Sequence, residues 1–173
     1  MLLTIAAILT VLMAIVLVLD VTKFIIPNWL NFFILLLYPV FLVLTPQEVE
    51  WWWSILLMLG FFAFGFLLFN FRIIGGGDVK LLVALSLWIG WQPDSLIFFV
   101  FAVSILGGVL SILVILLRVA AITYGARVNN KITLPRILTW GEPLPYGVAI
   151  AVSFVYMIWT NQILGLVVPD LRG

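Results

Sequence analysis

Long apolar runs separated by short polar stretches make up almost the whole chain. Six apolar segments can be marked, at about 2–19, 30–44, 51–69, 79–92, 95–117 and 146–168. Several reach the roughly 20 residues that cross a bilayer as an α-helix, while the second and fourth are long enough only if flanking residues share the crossing. The pattern predicts an all-α, polytopic integral membrane protein with about six transmembrane helices, forming a single domain over residues 1–173.

The composition supports a membrane protein and argues against a soluble one. Hydrophobic residues make up 66% of the chain and charged residues only 9%, against about 25% charged in an ordinary soluble domain. The lipid bilayer is therefore the expected surrounding. The formal net charge is +1, so there is no broad basic field and nucleic-acid binding is not expected.

The chain has no cysteine and no histidine. Disulfides, thiol nucleophiles, zinc ribbons, imidazole bases and Ser/His triads are thereby excluded, and acid–base chemistry falls to carboxylates. The first apolar segment lacks a basic n-region and a clear cleavage site, which favours a retained helix over a removed signal peptide.

The positions of the basic residues predict the orientation in the membrane. They follow the first segment, surround the junction of the third and fourth, and fill the connection between the fifth and sixth. These residues are Lys23, Arg72, Lys80, Arg118, Arg127, Lys131 and Arg136. The connections on the opposite side hold no lysine or arginine. Because basic loops stay in the cytoplasm, both termini are expected on the non-cytoplasmic side.

Two acidic residues are predicted to lie at the same membrane depth. In this topology Asp20 ends the first helix and Asp78 starts the fourth, both at the cytoplasmic face. Two carboxylates in close contact hold one proton between them. One can then take a proton from water while the other, protonated, hydrogen-bonds a scissile carbonyl. This chemistry requires no metal and no other cofactor.

Three glycines, Gly75, Gly76 and Gly77, precede Asp78. Without side chains, they can adopt positive φ and let an extended substrate approach the carboxylate. A phosphate loop is set aside because the GxxxxGK[ST] pattern is missing. Simpler interpretations remain: Asp78 as a helix cap, and Asp20 with Lys23 as an exposed i,i+3 pair.

Other residues near the predicted site shape or anchor it. Pro27 and Asn28 are expected to begin the second helix, with substrate positioning a secondary role for Asn28. Lys80 is interpreted as an interfacial anchor that can also influence the electrostatics of the carboxylate pair. The long loop predicted at 118–145 suggests substrate access or gating.

Three short motifs resemble the type IV prepilin peptidases. "GGGD" at 75–78 fits the GxGD signature of membrane aspartic peptidases, and "DVTKFIIPNW", beginning at Asp20, resembles their first active-site segment. "PYG", comprising Pro145, Tyr146 and Gly147, resembles a further element of the family. The resemblance implies that Asp20 and Asp78 are the catalytic pair. It also implies that the enzyme removes the short basic leader of prepilin or prepilin-like secretion subunits at the cytoplasmic face of a prokaryotic inner membrane.

The chain departs from the longer members of that family, which carry a cytoplasmic segment with paired cysteines that accompanies methylation. A peptidase-only enzyme is expected here, without methyltransferase activity. Presenilin-like relatives typically have a tyrosine before the first aspartate, whereas Leu19 stands here.

The resemblance gives two further residues a candidate role. Glu142 could receive a basic leader, and Tyr146 could line the site, although an interfacial aromatic is the commoner explanation. Two other classes of protein stay open. A transporter or proton-conducting protein would use the same acidic residues, and a structural membrane subunit would not need them.

Overall fold

The computed structural model describes residues 1–45, 49–90, 93–127, 135–139, 141–160 and 163, and over these ranges the secondary structure is all helical. The α-helices are α1 (Leu2–Lys23), α2 (Asn28–Leu44), α3 (Trp51–Asn70), α4 (Gly76–Ile89), α5 (Pro93–Arg127) and α6 (Tyr146–Trp159). A short 3-10 helix, Arg136–Leu138, precedes α6. The all-α class and the six predicted helical segments are confirmed.

The predicted loop at 118–145 is wrong in its first part, because α5 continues to Arg127. Arg118 ends the apolar run in the sequence, but its side chain is buried and hydrogen-bonded, so the charge does not interrupt the helix. Residues 128–134, 140, 161–162 and 164–173 lie outside the described residues. The middle of the predicted loop, for which gating is predicted, lies outside the described residues. The end of the predicted sixth segment also lies outside them.

Among the described residues, three helices are long and apolar enough to cross a membrane: α1, α3, and residues Asp94–Thr123 of α5. The others are shorter, with 17 residues in α2 and 14 in each of α4 and α6. A 14-residue helix rises about 21 Å, less than the roughly 30 Å of the hydrocarbon core. The chain is a membrane protein, and the crossing of all six helices stays a prediction.

Two hydroxyl side chains inside the apolar helices, those of Thr10 and Ser153, form hydrogen bonds within their own helix. Thr10 Oγ1 donates to the Ala6 carbonyl at 2.8 Å, and Ser153 Oγ donates to the Ala149 carbonyl at 2.7 Å. Such bonds let hydroxyl groups lie in an apolar bundle without an unpaired donor.

The two short helices α4 and α6 provide much of the packed interior. α4 packs on α2 and α3, while α6 packs on α1 and α5, and the two also contact each other. Trp88 of α4 is fully buried, and its Nε1 donates to the Ile34 carbonyl of α2 at 3.2 Å. The rings of Tyr38 and Phe41 pack against Trp88 with centroids 5.4 and 5.6 Å away. In contrast, α3 and α5 expose most of their apolar surface, as expected of helices that face lipid.

Three helix ends meet at one end of the bundle. α1 ends at Lys23, where Phe24 takes a left-handed conformation (φ 53°) and turns the chain toward α2. Pro27 is the N-cap of α2, which confirms that Pro27 and Asn28 begin this helix. Ile26, in the connection, lies against both Gly77 of α4 and Gly147 of α6. The carboxyl end of α1 and the amino ends of α4 and α6 are therefore held together.

Candidate active site

Asp20 is a buried carboxylate at the carboxyl end of α1, only 5% exposed. Its Oδ2 accepts a hydrogen bond from the backbone N–H of Val148 at 3.2 Å. The Gly147 amide also faces this carboxylate. Its interpretation as an exposed partner of Lys23 is therefore wrong. The first-turn amides of a helix are unpaired within it, and they are natural donors to an anionic side chain.

Gly147 allows α6 to approach Asp20 this closely. A Cβ at this position would lie 2.8 Å from Asp20 Oδ2 and 2.9 Å from Ile26 Cδ1. Both distances are shorter than van der Waals contact, so any side chain here would displace the carboxylate or Ile26. The amino end of α6 begins after Pro145, its buried N-cap residue.

Asp78 lies in the first turn of α4 and is half-buried. The N-cap of α4 is Gly75, which has no side chain, so Asp78 does not occupy the cap position. Asp78 lies outside the three long apolar spans. Burial, and after it the negative charge of Asp20, raise the pKa of Asp78 to about 7, while a hydrogen bond from the Gly147 backbone acts in the opposite direction. The two carboxylates are thus close enough to interact, and the Gly147 amide faces both.

The predicted positive φ of the glycine triplet is wrong. Gly75 has φ −68°, and Gly76 and Gly77 open the helix α4. Instead, Gly76 lies close to a neighbouring ring that would have to shift for a side chain, while Gly77 lies within ordinary van der Waals contact of its neighbour. A Cβ on Gly76 would lie 3.1 Å from the Phe69 ring, and one on Gly77 would lie 3.4 Å from Ile26 Cβ. The left-handed conformation in this stretch belongs to Arg72, with φ 57°.

Lys80 is exposed and does not turn toward Asp78. Its Nζ donates to Asn28 Oδ1 at 3.0 Å and so ties the start of α2 to the second turn of α4. The roles predicted for Lys80, Pro27 and Asn28 in shaping the site stay predictions.

Two cavities meet at Asp78 and Tyr146. The larger has a volume of about 790 Å³ and extends toward Asn70, Arg72, Pro143 and Leu144. The smaller, about 360 Å³, lies against α5 at Val103, Ser104, Gly107 and Gly108. Asp78, Tyr146, Ile73 and Ile74 line both. The two cavities thus share one carboxylate, with Asn70 and Arg72 beside the larger cavity and mainly apolar residues and glycines beside the smaller.

Tyr146 is held against α5 at the junction of the cavities. Its ring lies 3.3 Å from where a Cβ of Gly107 would be. The Ser111 hydroxyl lies 3.3 Å from Tyr146 Oη, within hydrogen-bonding distance. Glu142 is half-buried and adjoins Pro143, which lines the larger cavity. Its predicted contact with a leader stays a prediction.

Sequence reasoning missed two residues of this region. Ile26 packs between the ends of α4 and α6, and Arg118 binds the segment that leads into α6. A signal for Arg118 was available, because it is a lone arginine directly after a long apolar run. Over the residues described, no group of three or more Asp, Glu, His or Cys side chains is placed to bind a metal ion.

The structure is a helical membrane bundle in which two carboxylates interact beside a cavity. Such a site is typical of membrane proteins that carry out acid–base chemistry, and membrane peptidases are among these. The model of the Type IV leader peptidase family matches residues 7–112, more than half of the chain, and this protein belongs to that family. The match includes Asp20 and Asp78 and ends before α6. Comparison with curated proteins gave no match, and comparison with solved structures also gave none.

Proposed function

We propose that this family member is an aspartic endopeptidase that removes the short basic leader of prepilin-like substrates, using Asp20 and Asp78. The observation that carries the proposal is the meeting of both carboxylates at the amino end of α6, where the Gly147 amide faces each of them.

The proposed mechanism gives the two aspartates different roles. Burial opposes ionisation of Asp20, and the amide of Val148, at the positive end of the α6 dipole, offsets part of this effect by donating a hydrogen bond to the carboxylate. Asp78 carries the proton of the pair, in agreement with its raised pKa. Asp20 takes a proton from water as the oxygen attacks the scissile carbonyl. Asp78 donates its proton to the carbonyl oxygen, and a proton then passes from the pair to the leaving amine.

The two cavities suggest how a substrate would lie. The peptide bond to be cut would pass Asp78 and Tyr146, which line both cavities. The apolar segment of the substrate would lie in the smaller cavity against α5, and the leader would lie in the larger. In this arrangement the site faces the cytoplasm of a prokaryotic inner membrane, with six crossing helices and both termini on the other side. The absence of cysteine supports a peptidase without methyltransferase activity.

The proposal is tested by cleavage of prepilin-like substrates in membranes or detergent. Asp20→Asn and Asp78→Asn should each reduce cleavage to the background level while the protein still inserts and melts as one unit. Asp94→Asn is the matched control, because Asp94 is exposed in the first turn of α5. Full cleavage by either site variant would refute the dyad. Proton flux lost in both variants, with no cleavage by the wild type, would instead support a transporter.

A further inference from the structure

Arg118 is a buried cation on α5, only 6% exposed. Its guanidinium donates two hydrogen bonds to backbone carbonyls. Nε donates to the Ile137 carbonyl at 2.9 Å, and Nη2 donates to the Pro143 carbonyl at 3.2 Å. A buried charge costs free energy unless it is well hydrogen-bonded. Two hydrogen bonds donated by one planar group indicate a site that suits arginine specifically.

The two carbonyls belong to the segment that leads into α6. Ile137 is in the 3-10 helix, which packs against α5 and α1. Pro143 lies two residues before Pro145, the N-cap of α6. Arg118 therefore holds this segment at two points, one of them immediately before the helix that carries the Gly147 and Val148 amides.

The α6 amino end is packed against α5 by Tyr146 and against Ile26 by Gly147, but among the described residues no ion pair holds it. Its first turn contains no charged side chain, and the hydrogen bond from Val148 to Asp20 is 3.2 Å long. A small shift of Pro143 would move the amides relative to Asp20, because Pro145 and the helix start follow directly.

We propose that Arg118 is a positioning residue, which fixes the carbonyls of Ile137 and Pro143 so that the first-turn amides of α6 stay directed at Asp20. The inference rests on the proposed peptidase function. Arg118 itself does not contact the reacting groups in this proposal. It acts through the backbone of the 143–148 segment.

The test uses Arg118→Met, Arg118→Lys and the full-length protein in detergent. A misplacement of about 1 Å at a catalytic group can cost about 100-fold in rate. Arg118→Met should therefore lower kcat/KM for a prepilin-like substrate by about 10- to 100-fold. Arg118→Lys keeps the charge but loses the planar group with several fixed donors. Its kcat/KM should therefore lie between those of Arg118→Met and the wild type. Should the Met variant fail to fold, the Lys variant carries the test.

Two readouts separate positioning from loss of folded enzyme. The acidic limb of the kcat/KM profile against pH should move to higher pH in Arg118→Met, because Asp20, whose charge acts on Asp78 of α4, loses amide donors. Fewer folded molecules would lower the rate without moving the profile. Hydrogen exchange of peptides covering 141–150 should also become faster, with peptides of α2 and α4 unchanged.

Arg127→Met is the control, because it removes the same charge from the end of the same helix. It should leave the pH profile and the exchange of 141–150 as in the wild type. Unchanged exchange and an unmoved profile in Arg118→Met would overturn the inference, even if Asp20→Asn and Asp78→Asn abolish cleavage. If the wild type cleaves nothing, the proposed function fails, while exchange still decides whether Arg118 fixes the α6 amino end.

Discussion

The backbone N–H of Val148 donates a hydrogen bond to Asp20 Oδ2 at 3.2 Å, joining residues 128 positions apart. This contact connects the first and last helices of the described chain. It shows that α6, which has no charged residue between Tyr146 and Trp159, still contributes polar groups to the site through its backbone. The site therefore consists of the two carboxylates and of the amino end of α6, whose backbone amides donate hydrogen bonds to them.

Gly147→Ala should abolish most cleavage. The added methyl group would lie 2.8 Å from Asp20 Oδ2, so the carboxylate must rotate away or α6 must shift. Either change separates Asp20 from its amide donors, and we expect a loss of about 100-fold in kcat/KM. Gly60→Ala is the control, because a Cβ there meets nothing within 4 Å and Gly60, on α3, lines neither of the two cavities at Asp78. Equal activity of the two variants would show that the close contact has no role in catalysis.

Gly65→Ala should destabilise the bundle without acting on the site directly. A Cβ on Gly65 of α3 would lie 2.7 Å from Val79 Cγ1 of α4. Overpacking of this kind costs about 1–3 kcal/mol, measurable as a lower melting temperature in detergent.

Two further variants make this test specific to the α3–α4 contact. Gly60→Ala, on the same helix, should have little effect because its Cβ would have no neighbour within 4 Å. Val79→Ala should restore part of the stability in the Gly65→Ala background, as a double-mutant cycle would reveal. Additive effects of Gly65→Ala and Val79→Ala would contradict the contact.

The helices could be predicted from the sequence because apolar runs of this length have few alternatives. The prediction that Asp20 and Asp78 lie at one depth followed from the distribution of lysine and arginine, and in the structure the two carboxylates interact. The helix ends were harder to predict. The apolar pattern predicts a loop from Arg118 onward, yet the charge of Arg118 is satisfied by the carbonyls of Ile137 and Pro143. A pattern of apolar and polar residues does not reveal such distant partners.

The role of the glycines could not be predicted for a similar reason. A glycine triplet beside an aspartate suggests unusual backbone conformations, but Gly76 and Gly77 are helical, and Phe69 and Ile26 lie against them. Which neighbour limits the size of a side chain depends on tertiary packing. The amides of Gly147 and Val148 were likewise invisible, since backbone donors have no signature in the sequence.

The stability of the protein should fall as the pH rises from about 4 to about 7. The pKa of Asp78 is raised from 3.8 to about 7 in the folded protein, so the folded state binds its proton more tightly than the unfolded state does. The stabilisation is full below the unfolded value and is lost as the pH passes through the folded one, up to about 4 kcal/mol in all. Melting temperatures measured across this range in detergent should decrease.

The variant Asp78→Asn identifies the group responsible. It should show a smaller dependence of melting temperature on pH than the wild type, because the titrating carboxyl is gone. Asp94→Asn, which changes an exposed carboxyl in α5, should keep the wild-type dependence. A slope in Asp78→Asn as steep as that of the wild type would assign the effect to other groups.

Lys80 and Asn28 should act as one unit that ties α2 to α4. Their hydrogen bond, Nζ to Oδ1 at 3.0 Å, lies at the surface, so its loss should cost less than about 1 kcal/mol. We expect Lys80→Met and Asn28→Ala each to lower cleavage by less than about tenfold, and the double variant to be no worse than either. Lys23→Met, which removes an exposed charge at the end of α1, is the charge control. If Lys80 instead tunes the carboxylate pair, Lys80→Met alone would move the pH profile of cleavage, and Asn28→Ala would not.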